Sequence, residues 1–501
     1  MVYDKIVKMI DMLFSALPDE RLQAILKNGA GAGAFQKYAS GRKIRADPCP
    51  NRTEGSMDDK TKELAGAPIG RLLLKYSLPA IVGMTITSMY NVIAGIFIGH
   101  GVGHQAISGL AVNFPLFNLV MALCMMVAVG GATLCSIELG RKNEERAEQV
   151  LGQVVLMNFV LSIVAGLLLY IFIDPILTLF GASDDTRPYA RDYIVVLLAA
   201  SPVGFLMLGL NNIARASGYP AKAMGTALVS VAVNIVLAPL FIFSFHWGMR
   251  GAALATVMGQ IASCCWLVLH FSRKSSMVRF RPGIFRFQPA LCREILAVGL
   301  PPFFMNACAC LVVIIINQSL KHYGGDLAIG AYGILNRLIM LFGIVVIGLT
   351  QGMQPIIGYN FGAGRMDRVH RTLFLGMGTG MIITTAGWIS FQFTPGVLVS
   401  MFTDYPELQN LSVSALRACT AVFFIVGWQI VVSAYFQAIG LVSVASFLSL
   451  SRQMLFLIPC LLLLPRWLGL NGVWFSLPAA DTAATVVTAV ILYFVEMRRK
   501  R

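Results

Sequence analysis

Twelve long apolar stretches run through this chain, and they constrain its fold more than any other feature. A helix needs about 20 residues to cross the ~30 Å hydrocarbon core of a bilayer, and it satisfies its own backbone hydrogen bonds there. The sequence is 57% hydrophobic and only 13% charged, whereas a soluble protein carries about a quarter charged residues. We therefore predict an all-α integral membrane protein. The predicted spans are 76–99, 110–139, 150–173, 190–214, 222–243, 251–272, 295–319, 328–357, 371–393, 412–438, 443–465 and 472–496.

The basic residues between these spans predict how the chain sits in the membrane. If the segment before Arg71 lies on one side and the spans alternate, that side collects 20 basic residues and the other collects five. The positive-inside rule places the richer side in the cytoplasm. Both termini are thus predicted to lie in the cytoplasm. The protein itself is predicted to lie in the inner (plasma) membrane of the cell. Because the net charge of +15 is distributed over short loops, we expect contact with membrane lipid and no nucleic-acid partner.

The two halves of the chain repeat one plan. At an offset of 222 residues the matched pairs are Pro79 and Pro301, Gly140 and Gly362, Arg146 and Arg368, Phe180 and Phe402, and Gly218 and Gly440. Each copy has six spans, so both copies enter the membrane from the same side, which predicts a pseudo-two-fold axis along the membrane normal. The predicted units are six-helix bundles at 57–272 and 295–496, a cytoplasmic linker at 273–294 and a basic tail at 497–501.

The segment 1–56 differs in kind from the rest, because it is polar and interrupted by Gly and Ala. Either it is an extension without a fold of its own, or translation begins at Met57; the second interpretation is favoured. With no apolar face to bury, this segment is expected to be dispensable. A chain that starts at Met57 should reach the membrane and transport at the level of the full chain, as immunoblots and transport assays would show. Loss of folded protein would contradict this expectation.

Several motifs are missing from the sequence. There is no G-x-x-x-x-G-K-[ST] phosphate-binding loop, no H-E-x-x-H motif and no C-x-x-C pair among the ten cysteines; these are signatures of ATPases, zinc enzymes and redox or metal sites. We therefore expect neither an enzyme nor a cofactor. An intramembrane enzyme is the weakest alternative.

Three stretches carry a family resemblance. They are Tyr90–His100, Asn211–Met224 with its Arg-Ala-Ser-Gly turn, and Gly352–Ala363, which contains Gln354-Pro355 and Asn360. Over about 68–496 the chain resembles the multidrug and toxic compound extrusion (MATE) family. The resemblance implies two six-helix bundles around a central cavity. It further implies export of amphipathic, often cationic, small molecules in exchange for H⁺ or Na⁺, and we expect a monomer.

The chain departs from the family at its amino-terminal cation site. Many members carry aspartates where this chain has Ala94 and Ala238. The clearest carboxylate left deep in a span is Asp481, which is either a coupling group or the partner of an arginine within a span (Arg337, Arg417 or Arg452). The candidate substrate and ion-pathway residues are Asn211, Asn212, Asn234, Thr256, Gln354, Asn360, Arg337 and Asp481.

The alternative within transport is a lipid-linked oligosaccharide flippase or polysaccharide exporter of the same superfamily. The three arginines within spans would suit a pyrophosphate group. The Gln-Pro and Arg-Ala-Ser-Gly motifs favour the MATE family instead.

Overall fold

The computed structural model describes residues 63–180, 183–273 and 276–500; the predicted extension at 1–56 lies outside them. In this part of the chain, ten continuous helices are long and apolar enough to cross a membrane, and two bent helix pairs form one further span each. The described residues 63–485 belong to one compact unit. Residues 486–500 are the described part of a second unit and form the helical end of the last span.

The twelve spans divide into two sets of six. Spans 1–6 are Ile69–Gly101, His104–Gly140, Glu144–Ile171, the pair Arg187–Ala199 and Ser201–Ala216, Pro220–Ser244, and Gly248–Ser272. Spans 7–12 are Pro289–Gly325, Leu327–Gly362, Met366–Phe393, the pair Pro406–Cys419 and Phe423–Ala438, Val442–Leu468, and Leu470–Lys500. Every predicted span is present, and the prediction of twelve helices in two pseudo-two-fold related bundles is confirmed.

Backbone geometry repeats along with the sequence. Residues with positive φ lie at helix boundaries in matched pairs: Gly103 and Gly325, Lys142 and Gly364, and Gly218 and Gly440 at an offset of 222, and Gly248 and Gly469 at 221. Short helices follow spans 3 and 9 at Ile173–Leu179 and Pro395–Ser400, again 222 residues apart. The two halves therefore share one chain trace.

Spans 4 and 10, which we predicted as continuous helices, are instead bent by 59° and 52°. In span 4 the break precedes Pro202, which has no N–H to continue the helix. In span 10 side chains of span 9 satisfy the freed carbonyls: Trp388 donates to the oxygen of Ala421 at 2.9 Å, and Gln392 donates to that of Arg417 at 3.0 Å. The sequence pattern missed this second break because it depends on a neighbouring helix.

The two halves meet through spans 1, 2, 7 and 8. Where spans 2 and 8 end, a Cβ on Gly140 would overlap the carbonyl of Tyr359, and a Cβ on Gly362 would overlap the carbonyl of Ile137. Ile137 and Tyr359 are themselves 222 residues apart, so spans 2 and 8 pack reciprocally across the pseudo-two-fold axis. Glycine allows such close backbone approach between membrane helices.

Candidate functional site

The tight contacts between the halves concentrate at one end of the spans. We call this the basic end, because it carries the basic loops that follow spans 2, 6 and 8. On span 8, Gly348 packs against Ile81 and Gly352 packs against Ser77, both from span 1. At 3.6 residues per turn, Leu341 lies within about 20° of both glycines on the helix surface, yet it is 59% exposed. The same face of span 8 is thus buried by the other half toward the basic end and exposed beyond it, so the halves diverge. We call the space between the diverging faces the cleft.

Two matched arginines fasten the basic end. Arg146, at the start of span 3, donates to Glu294 of span 7 at 2.8 Å. Its repeat mate Arg368, at the start of span 9, donates to the carbonyl of Ala67 at 2.7 Å and to that of Leu64 at 3.2 Å. Each arginine reaches from one half to the segment that begins the other half, and we call the pair the arginine latches.

Asn360, one of the predicted site residues, belongs to the second latch. Its Oδ1 accepts from Arg368 Nε at 3.0 Å, and its Nδ2 donates to the carbonyls of Leu64 at 3.3 Å and Ile356 at 2.9 Å. The side chain is fully buried. Asn360 therefore orients the latch arginine.

The first latch gives a measurable prediction. Because Arg146 and Glu294 keep 40% and 34% of their side-chain surface exposed, their ion pair is worth about 0–1 kcal/mol. Glu294→Gln should thus increase the population open at the basic end by up to about fivefold. Spin labels at the exposed, repeat-matched positions Glu145 and Asp367 would report this as a longer distance component.

High salt should reduce the difference between wild type and Glu294→Gln, because it screens the ion pair. The matched control is Glu407→Gln, which neutralises an exposed acid on span 10. Equal distance distributions for Glu294→Gln and wild type at low salt would rule out the latch.

A small polar cavity lies where the cleft closes. Its volume is about 10 Å³, room for about one water molecule. It is lined from both halves, by Ala132, Asn212, Arg215, Ala216, Gln351, Gln354 and Pro355. The predicted site residue Gln354 crosses the interface here and donates to Thr133 Oγ1 at 2.8 Å.

Asn211 and Asn212 belong to this region through Arg215. The Arg215 guanidinium donates to Asn211 Oδ1 at 2.8 Å and to Asn212 Oδ1 at 3.5 Å. Asn211 Nδ2 donates in turn to Thr226 Oγ1 at 2.6 Å. Their partners thus differ from those of Asn234 and Thr256, which stand beside them in the list of candidate residues.

Asn234 and Thr256 form a separate polar cluster inside the amino-terminal half. Asn234 Nδ2 donates to Thr256 Oγ1 at 3.1 Å, and Thr256 Oγ1 donates in turn to the carbonyl of Ala252 at 3.2 Å. Asn234 Oδ1 is buried without a hydrogen-bond partner. Ala238, which stands where many family members carry an acid, packs instead in an apolar cluster with Ile98, Ile242 and Met249.

Asp481 is paired inside the carboxy-terminal half. Its Oδ1 accepts from Arg452 Nε at 2.7 Å, and the side chains keep 12% and 37% of their surface exposed. Arg452 lies in a π-helical turn, Ser451–Leu457, a distortion that is frequent at functional sites. Of the three arginines considered as partners, the structure selects Arg452.

Arg337, the remaining candidate, lies on the exposed surface of span 8. At 3.6 residues per turn it falls within about 20° of Gly348, so it lies on the face that meets the other half at the basic end. Beside it, Met340 and Leu341 are 58% and 59% exposed. Arg337 therefore belongs to the wall of the cleft.

Sequence reasoning did not assign roles to Arg146, Arg368 or Arg215. Arg146 and Arg368 did appear as a pair matched by the repeat. A positive charge at the same position of both halves was the signal that could have indicated their shared role. Arg215 was recognised only as part of a turn motif. The acceptors of Arg368 are backbone carbonyls, which side-chain patterns do not reveal.

Comparison with known proteins agrees with this architecture. The MatE family model matches residues 79–240 and 301–462, two segments at the 222-residue offset. The multidrug export protein MepA of Staphylococcus aureus (strain NCTC 8325 / PS 47) is 28% identical over 444 residues, 88% of this chain and 97% of that protein.

Solved structures agree as well. The MATE multidrug transporter DinF-BH is 33% identical, with a TM-score of 0.80 over 89% of this chain and 98% of that one. A multidrug resistance MATE transporter in an outward-facing conformation shares the fold, at 22% identity and a TM-score of 0.82 over 90% of this chain and 99% of that one. With the family model matching both halves, this multi-pass membrane protein belongs to the MATE family of transporters.

Proposed function

We propose that this protein is a secondary active antiporter that exports amphipathic drugs or toxic metabolites from the cell in exchange for H⁺ or Na⁺. The observation that carries the proposal is the interface between the halves, which is closed by reciprocal glycines and matched arginines at the basic end and diverges beyond it. Rocking one half against the other about such an interface would expose the cleft to each side in turn. The names of MepA and DinF-BH support multidrug export.

We propose that the protein is a monomer in the inner (plasma) membrane of the cell. In the proposed orientation the basic end faces the cytoplasm. The positive-inside rule supports it. In that orientation the cleft would open to the outside of the cell. The compound would enter from the cytoplasm after the latches and the glycine contacts separate.

For coupling, we propose Asp481. The resemblance suggests an amino-terminal cation site, but Ala94 and Ala238 leave that site without its usual carboxylates, and the hydrogen-bonded side chains of Asn234 and Thr256 are neutral. Asp481 lies in a buried position opposite an arginine that is itself partly exposed. Protonation or cation binding at Asp481 would weaken its ion pair with Arg452 and could thereby alter the packing of spans 11 and 12.

The proposal is tested with everted membrane vesicles, in which export appears as uptake. Fluorescent cationic and anionic dyes are supplied while a pH gradient or a Na⁺ gradient is imposed separately. We expect gradient-driven uptake in vesicles that contain the protein and background uptake in vesicles without it. Equal uptake in both under either gradient would contradict antiport.

A further inference from the structure

Two arginines border the space between the halves without a carboxylate partner among the described side chains. Arg215 lines the small cavity at the closed end of the cleft, together with residues from both halves. Its hydrogen-bond partners are neutral amide oxygens, and its Nε is buried without a partner. Burying a charge is costly unless it is paired. The Arg215 guanidinium can therefore still donate hydrogen bonds to an anionic acceptor.

The second arginine, Arg337, stands farther out on the cleft wall. It is 14 residues from Gln351, which lines the cavity beside Arg215, and a helix rises about 1.5 Å per residue, so the separation along span 8 is roughly 21 Å. Gln351 Oε1 is also buried without a partner. The exposed Met340 and Leu341 flank Arg337. Cationic and apolar groups thus occupy one surface.

Acidic groups do not balance these charges. Among the described side chains of spans 1, 2, 7 and 8, the acids are Glu138 and Glu294. Glu138 accepts from Arg141 at 2.8 Å, and Glu294 accepts from Arg146 at 2.8 Å. Both ion pairs lie at the basic end. Asp481, in span 12, forms an ion pair with Arg452. Among the described side chains of these four helices, a cationic compound in the cleft would find no carboxylate that is not already in an ion pair.

From this charge distribution we infer that the cleft selects amphipathic organic anions, compounds that combine an apolar body with an oxyanion such as a carboxylate. The inference rests on the proposed export function and replaces the cationic substrates that the resemblance suggested. The planar guanidinium of arginine pairs with an oxyanion through two parallel hydrogen bonds. Arg337 would receive or release the anion at the open end, Arg215 would hold it at the closed end, and Met340 and Leu341 would contact the apolar body.

Two xanthene dyes that differ in charge make the test direct: rhodamine 6G, a cation, and carboxyfluorescein, an anion. In everted vesicles with the coupling gradient imposed, we expect the wild-type protein to transport carboxyfluorescein in preference to rhodamine 6G. Arg337→Gln should weaken the apparent affinity for carboxyfluorescein by about tenfold, the value of a charge-assisted hydrogen bond. Rhodamine 6G transport should become faster, because the variant removes a positive charge that repels the cation from the cleft wall.

The matched control is Arg417→Gln, which removes another exposed arginine within a span, from span 10, outside the four helices that meet at the interface. Because Arg215 contacts two asparagines that a substitution could disturb, Arg215→Lys keeps the charge and Arg215→Gln removes it. Membrane abundance is measured for both. We expect carboxyfluorescein transport to fall in the order wild type, Arg215→Lys, Arg215→Gln at equal abundance.

The outcomes separate this inference from the proposed function. If rhodamine 6G is exported and carboxyfluorescein is not, export stands and anion selection is overturned. Equal effects of Arg337→Gln and Arg417→Gln on carboxyfluorescein would also overturn it. If neither dye moves under either gradient, the export proposal fails and the inference falls with it.

Discussion

Replacing Asp481 by asparagine is expected to abolish ion-driven export while the amount of folded protein in the membrane stays normal. Asparagine keeps the shape of the side chain and can still accept a hydrogen bond from Arg452, but it cannot take up a proton or carry a negative charge. If the coupling ion binds at Asp481 in the wild type, the ion gradient can no longer drive export in this variant. Dye uptake should fall to the level of vesicles that lack the protein.

The normal abundance follows from the magnitudes involved. Breaking a fully buried ion pair by removing one partner costs about 3–5 kcal/mol, which would deplete a marginally stable protein. Arg452, however, keeps 37% of its side-chain surface exposed, so water shares its solvation and the retained hydrogen bond limits the loss to about 1 kcal/mol. The coupling role and a purely structural role thus predict different results.

Abundance and transport measured on the same vesicles separate these roles. The matched control is Asp192→Asn, the same change in an exposed aspartate that pairs with Arg250 at 2.9 Å; it should leave both quantities unchanged. Lower abundance of Asp481→Asn with normal uptake per molecule would assign Asp481 to structure. Full ion-driven export by Asp481→Asn would exclude it as the coupling group.

Local sequence signals predicted most of the fold. Apolar length located all twelve spans, and the 222-residue offset predicted the pairing of the halves, because both depend on residues close together in the chain or repeated in it. The bend after Cys419 did not follow from such signals, because Gln392 and Trp388 stabilise it from another helix. Long-range partners of this kind are visible only in the structure.

The candidate site was less predictable for the same reason. The residue types were recognised, but their grouping depended on partners: Asn211 bonds to Arg215, whereas Asn234 bonds to Thr256. Three arginines within spans were open as partners of Asp481, and only packing could select Arg452. Charge balance in the cleft also required knowing which faces of spans 1, 2, 7 and 8 meet.

The reciprocal glycines lead to the second large effect. A Cβ on Gly140 would overlap the carbonyl of Tyr359, a backbone atom that no rotamer change can move aside. Gly140→Ala should therefore hold the two halves apart at the basic end and remove the state described here from the transport cycle. Export should fall to background, because the transporter can no longer close at this end.

Thiol labelling can detect the open basic end directly. With a cysteine in place of Gln351, in a background without native cysteines, a membrane-impermeant maleimide reaches the cytoplasmic side of everted vesicles. We expect slow labelling in the otherwise wild-type protein, because Gln351 lies at the closed end of the cleft, and fast labelling after Gly140→Ala. Gly378→Ala is the matched control, since a Cβ there meets nothing within 4 Å.

Gly362→Ala should have the same effect on labelling and export as Gly140→Ala. The double variant should transport no less than either single variant, because both glycines serve one contact and their effects are not additive. Slow labelling and normal export by Gly140→Ala would show that the halves close without this contact, and the alternating-access geometry proposed here would then be wrong.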